Sequence, residues 1–230
     1  MLRRCEVLQL GRVGYHDALE LQNRLAEERG RLADAGIDRL LLLEHPPTYT
    51  LGSAANEANL LMPVGERERL GIEVTRVDRG GDITFHGPGQ LVGYPILQLT
   101  RENLRTDVVG YVRKLEQVLI DTVADYGVLG RRIQGLPGVW VDTPAGEVKI
   151  AAIGVRVNVR AVTKHGFALN ANTDLRYFEG IVPCGIRDKG VTSLATLLGA
   201  PVAENELAAR LIRHFGVVFE YEILPRQKPN

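Results

Sequence analysis

The four residues Thr143-Pro144-Ala145-Gly146 constrain the fold more than any others in the chain. They form a turn between two strand-like runs, Val139 to Asp142 and Glu147 to Val159. Strands joined by so short a turn pair antiparallel, because a parallel connection needs a dozen or more residues. This argues against a purely parallel sheet. Helical patterns still interleave with strand patterns. Tyr15 to Ala35 puts Ala18, Leu21, Leu25 and Leu32 on one apolar stripe. Asp107 to Tyr126 is the clearest helix: Asp107 can cap it, and Val108, Tyr111, Val112, Leu115, Val118, Leu119 and Val123 form its apolar face. Glu204 to Phe215 predicts a further amphipathic helix. Ile37 to Leu43, Glu73 to Asp78, Leu91 to Leu99, Phe167 to Asn170 and the alternating Val217 to Leu224 read as strands. Pro95 predicts an edge or a bulge for the third of these. The fold class is α/β, leaning α+β: a mixed β-sheet flanked by helices. One domain over 1–230 is expected, with a small C-terminal subdomain over 191–230 as the other arrangement.

Charge narrows the function. Twenty-eight basic residues balance 28 acidic ones, so no global field favours nucleic acid or an anionic membrane. No stretch approaches the roughly 18 apolar residues of a membrane span, and the N-terminal segment has no signal-peptide apolar run. With two cysteines, Cys5 and Cys184, a disulfide framework is not expected and a reducing, cytoplasmic setting is. The five histidines (His16, His45, His86, His165, His214) show no metal-ligand spacing, so no metal is expected.

Three segments can carry chemistry. In Ile181-Val182-Pro183-Cys184-Gly185, Pro183 stiffens one side of the cysteine and Gly185 frees the other, a frame that can present a thiol to a cleft. Taken alone, a free cysteine also reads as a small buried hydrophobe. The stretch Asp78 to Gln90 has glycines at 80, 81, 87 and 89, whose backbone can approach a ligand closely and offer N–H donors. Strict alternation puts Lys149 on the face opposite Val148, Ile150 and Ala152, toward solvent or a cleft. The small residues Ala151, Ala152 and Gly154 leave room beside that strand for an apolar chain. His165-Gly166 repeats the His-Gly pair of His86-Gly87, and either histidine can carry a proton.

Taken in order, several stretches resemble the octanoyltransferase family. They are Arg79-Gly80-Gly81 with Thr84, His86-Gly87-Pro88-Gly89-Gln90, Tyr94-Pro95, Lys149 to Arg156, and His165-Gly166-Phe167-Ala168-Leu169-Asn170. The series ends with Ile181 to Gly185 and Thr192-Ser193-Leu194. Ser53 stands where that family carries a basic residue. The resemblance implies a fold shared with the biotin and lipoate protein ligase catalytic domain. It implies transfer of an octanoyl or lipoyl group from acyl carrier protein to a lysine of lipoyl domains, in 2-oxoacid dehydrogenases and the glycine cleavage H protein. Cys184 is then the nucleophile and Lys149 its partner and general acid/base. Arg79, Gly80, Gly81, Asp82, Ile83, Thr84, Phe85, His86, Ala152, Ile153, Gly154, Gly166, Phe167 and Ala168 then line the acyl pocket. No ATP, metal, nucleic acid or membrane is implied. An ATP-dependent lipoate- or biotin-type ligase, a thioesterase and a non-catalytic acyl-carrier-binding module are the competing readings.

Overall fold

A computed structural model describes residues 3–32, 35–99, 107–185 and 189–224, with the Cys184 side chain outside the described set. The strands are β1 (Arg3–Arg12), β2 (Asp38–Glu44), β3 (Thr48–Leu51), β4 (Glu73–Arg76), β5 (Ile83–His86) and β6 (Gln90–Ile96). They continue with β7 (Arg131–Ile133), β8 (Leu136–Thr143), β9 (Gly146–Val157), β10 (Thr163–Asn170), β11 (Gly190–Val191) and β12 (Tyr221–Leu224). The α-helices are α1 (Tyr15–Leu32), α2 (Val64–Arg69), α3 (Val108–Ala124), α4 (Leu194–Leu198) and α5 (Glu204–Phe219).

Nine of the described strands form one mixed sheet in the order β12-β1-β2-β6-β10-β9-β8-β7, with β11 alongside β9. A second sheet, β4-β3-β5, sits apart. Both faces of the large sheet are covered, which explains the continuous Leu40 to Leu43 run in β2. Leu40 and Leu42 pack with α3 and α5, whereas Leu41 and Leu43 pack with α1. Asp38 ties α1 to the large sheet: it accepts from Arg29 Nε at 2.6 Å, from the Gln98 backbone N–H at 2.9 Å and from the Tyr221 hydroxyl of β12. No helix among the described residues is long and apolar enough to cross a membrane.

The structure departs from simple patterning at several places. Leu32 is 48% exposed, while Gln22 and Arg29 take buried places on α1. Pro95 lies inside the sheet, between β2 and β10, and not at an edge. It is tolerated there because the β6–β10 ladder stops at Gly93↔Phe167. His165, with φ of 56°, then turns β10 aside, and Thr163 Oγ1 donates to the Pro95 carbonyl at 2.6 Å. Finally, α5 runs through Phe219 and leaves only Tyr221–Leu224 as strand. The alternation from Val217 is overridden because Leu207, Leu211 and Phe215 already set a helical stripe into the core.

Candidate active site

The α1 face of the large sheet holds a cleft between β9, β10, the β5 strand and the start of α1. Small residues make its floor: Ala152 and Ala168 are cross-strand partners, as are Gly154 and Gly166. Gly166 is required by close approach, since a Cβ there would lie 2.2 Å from the Gly93 carbonyl oxygen. The Arg79-Gly80-Gly81-Asp82 loop closes over this floor. The Gly80 N–H donates to the Val155 carbonyl at 3.0 Å, and a Cβ on Gly154 would come within 3.0 Å of the Gly80 oxygen. Arg79 is 7% exposed and holds β3 through Thr50, donating from Nη2 to its carbonyl at 2.7 Å and its hydroxyl at 2.8 Å.

Of the expected pocket residues, Arg79, Gly80, Gly81, Asp82, Thr84, His86, Ala152, Ile153, Gly154, Gly166, Phe167 and Ala168 border this one cleft. Ile153 and Phe167 border it while their side chains pack on the α3 side. Ile83 and Phe85 do not border it. Alternation along β5 turns them into the core of the small sheet with Tyr49, Leu51 and Phe178. The glycine loops also hold their own amides: that of Gly80 is bonded to Val155, and that of Gly89 donates to Glu44 Oε1 at 2.8 Å. These two amides are therefore not oxyanion donors.

Tyr15, Tyr94 and His165 border the cleft as well; the His-Gly pairing marks His165 and the Tyr94-Pro95 stretch marks Tyr94, whereas no local pattern marks Tyr15. Asn170 Nδ2 donates to the Thr192 carbonyl at 3.0 Å, which orients its amide so that Oδ1 accepts from Gln90 Nε2 at 2.8 Å. Gln90 Oε1 must then face His86, whose Nδ1–H donates to it at 2.9 Å. Burial holds the His86 pKa well below its ordinary value, so the ring is neutral with its bare nitrogen at Nε2. His45 is likewise lowered by burial, to about 4, and bridges the Val13 carbonyl and the Tyr94 hydroxyl. His165 is lowered by burial against the pull of Asp78, to which its Nε2–H donates at 2.7 Å. Asp78 itself sits at about 2: burial raises it, but hydrogen bonds from His165 and Lys164 outweigh that. This pair pins the start of the Arg79 loop to β10.

Lys149 reaches the cleft face through a β-bulge. Val139 pairs with Ala151 and Trp140 with Lys149, so Ile150 has no partner in the ladder. Ile150 and Ala151 both enter the α3-side core, and the alternation slips by one. Lys149 therefore shares a face with Ala152, not the opposite one that strict alternation predicts. Val139 and Val141 point into the α3-side core, so Trp140 between them faces the same way as Lys149. The Lys149 ammonium lies 4.7 Å from the Trp140 ring centroid and the residue is 7% exposed. A Cβ on Gly138 would stand 3.5 Å from Lys149 Cε and 2.5 Å from the Ala151 oxygen, so glycine there keeps the lysine's place open. Val191 of β11 pairs with Lys149, and the Thr192 N–H donates to the Lys149 carbonyl at 2.9 Å. Cys184 lies on the Pro183–Gly185 turn that precedes β11 in the chain, and its side chain is outside the described residues.

The catalytic-domain model of lipoyl protein ligase A/B matches residues 14–216. The octanoyltransferase of Solibacter usitatus (strain Ellin6076) is 52% identical over 224 residues, covering 97% of this chain and 97% of that protein. The octanoyltransferase of Koribacter versatilis (strain Ellin345) is 48% identical over 222 residues, covering 95% and 86% respectively. A bi-partite lipoate protein ligase from Thermoplasma acidophilum, solved in work on its archaeal lipoylation system, superposes with a TM-score of 0.71 at 18% identity. It covers 98% of this chain and 87% of its own, and shares the fold. With its catalytic-domain match and its close relatives, this chain belongs to the lipoyl protein ligase A/B catalytic-domain family, within the octanoyltransferases.

Proposed function

We propose that this octanoyltransferase takes its acyl group from the phosphopantetheine thioester of acyl carrier protein and holds it as a thioester on Cys184. It then delivers the group to a lysine of lipoyl-bearing domains, including the glycine cleavage H protein, without ATP or a metal, in the cytoplasm. The observation that carries this reading is the bulge at Ile150, which turns Lys149 onto the same strand face as the small-residue floor of the cleft. An apolar acyl chain fits such a floor, and a proton carrier on the same strand face fits thioester chemistry.

The thiolate is the attacking form, and an ordinary thiol of pKa about 8.5 is only about 3% ionised at pH 7. Lys149 favours that form by its charge or takes its proton. The Cys184 sulfur bonds to the carbonyl carbon, the C=O pair moves to oxygen, and collapse breaks the bond to the phosphopantetheine sulfur. That sulfur leaves as a thiol with a proton from Lys149. In the second half-reaction the acceptor lysine, deprotonated, bonds to the same carbon. The bond to Cys184 breaks, and the proton released from nitrogen passes to Lys149. Transfer from thioester to amide runs downhill, so no nucleotide is needed.

The test uses purified protein, octanoyl carrier protein and a lipoyl domain, with ATP and magnesium omitted. Octanoyl-lysine should form at the full rate. A strict requirement for ATP with free octanoate would replace this reading with that of a ligase.

A further inference from the structure

Asp82 borders the acyl cleft, yet both of its carboxylate oxygens are committed elsewhere. Oδ1 accepts from the amides of Asn56 at 3.0 Å and Ile83 at 2.8 Å. Oδ2 accepts from Asn59 Nδ2 at 2.5 Å. An octanoyl chain offers a carboxylate nothing, whereas these amide donors use it fully.

Asn59 is 7% exposed and stands directly behind the turn that bears Cys184. Its carbonyl accepts the Val182 N–H at 2.8 Å, and its neighbour Leu60 bridges Ile181. The turn then closes with the Gly185 N–H on the Val182 carbonyl at 3.0 Å. Gly185 has φ of 70°, and a Cβ there would sit 3.0 Å from Asp82 Oδ2 and 3.5 Å from Asn59 Nδ2. Glycine at 185 thus serves both the left-handed backbone and the contact with the carboxylate. From the Arg79 loop to the turn, the chain of contacts is unbroken: Asp82, Asn59, Val182, Gly185.

We propose that Asp82 and Asn59 form a positioning pair that sets the Pro183–Gly185 turn against the loop covering the acyl cleft, and that Asp82 does not bind substrate. The proposal rests on the reading of Cys184 as nucleophile. A nucleophile displaced by about 1 Å loses on the order of 100-fold in rate, so this pair acts on the speed of acylation more than on donor binding.

Reversing the hydrogen bond tests it. Asp82→Asn, with its carbonyl kept on the two amides, sets an NH2 against the NH2 of Asn59. Asn59→Asp sets carboxylate against carboxylate. Asp82→Asn combined with Asn59→Asp restores a donor–acceptor pair of opposite direction. Each single variant should slow acyl-enzyme formation in a single turnover by about 10- to 100-fold, with KM for the donor changed by no more than about twofold. Amide exchange at Val182 should accelerate in the same variants. The double variant should recover most of both losses, the non-additivity expected of residues in contact. Unchanged rates and unchanged Val182 exchange in the single variants would overturn the proposal, as would a double variant no better than the singles. If Val182 exchange follows the pairing while the wild-type protein acquires no octanoyl group on Cys184, the positioning pair stands and the nucleophile assignment fails.

Discussion

Methionine in place of Lys149 is expected to lower kcat by about 10²- to 10⁴-fold, the usual worth of a positioned proton carrier. The side chain is buried over Trp140, and methionine has a similar length and an apolar end suited to that ring. The variant should therefore keep its fold, and the effect should be chemical. Both half-reactions should slow, because the leaving thiol needs a proton and the incoming amine must lose one. Single-turnover measurement of each half-reaction, beside a thermal melt, checks this. Rates within about threefold of wild type would remove Lys149 from the chemistry, since so small a change is well below what a proton carrier supplies.

The second large effect concerns the cleft floor. Ala152 and Ala168 face each other across β9 and β10. Leucine at 152 projects three more carbons into the space between them. If these exclude three methylenes of the octanoyl chain, the loss at about 0.8 kcal/mol each is about 2.4 kcal/mol, a factor of about 60 in kcat/KM. A butanoyl chain, shorter by four carbons, should be used by Ala152→Leu about as well as by the wild type. Competition between octanoyl and butanoyl carrier protein reads the ratio directly. An unaltered preference would mean that the chain lies elsewhere.

Much of the scaffold is legible along the chain. The Thr143–Gly146 turn announces the β8–β9 hairpin, and counting pairs outward from Thr143↔Gly146 reaches Trp140↔Lys149 without any other knowledge. That count fails one residue later. The bulge at Ile150 exists because the α3-side core takes both Ile150 and Ala151, a demand made by elements distant in sequence. The same holds for Pro95, whose interior place depends on the left-handed turn of β10 at His165. Ile83 and Phe85 read as pocket residues only while the small sheet is unknown. Once β5 pairs with β3, every second side chain belongs to another core. Asn59 carries no signal of its own and Asn170 only its place in a motif, because their roles consist of what they touch: Asp82 and Val182 for one, Gln90 and Thr192 for the other.

The central claim is that Cys184 carries the octanoyl group. Intact-mass measurement after incubation with octanoyl carrier protein, in the absence of acceptor, tests it most directly. The expected result is one added octanoyl group on Cys184, discharged when a lipoyl domain is supplied and absent from Cys184→Ala. A Cys184→Ala protein that retained full transfer activity would contradict it.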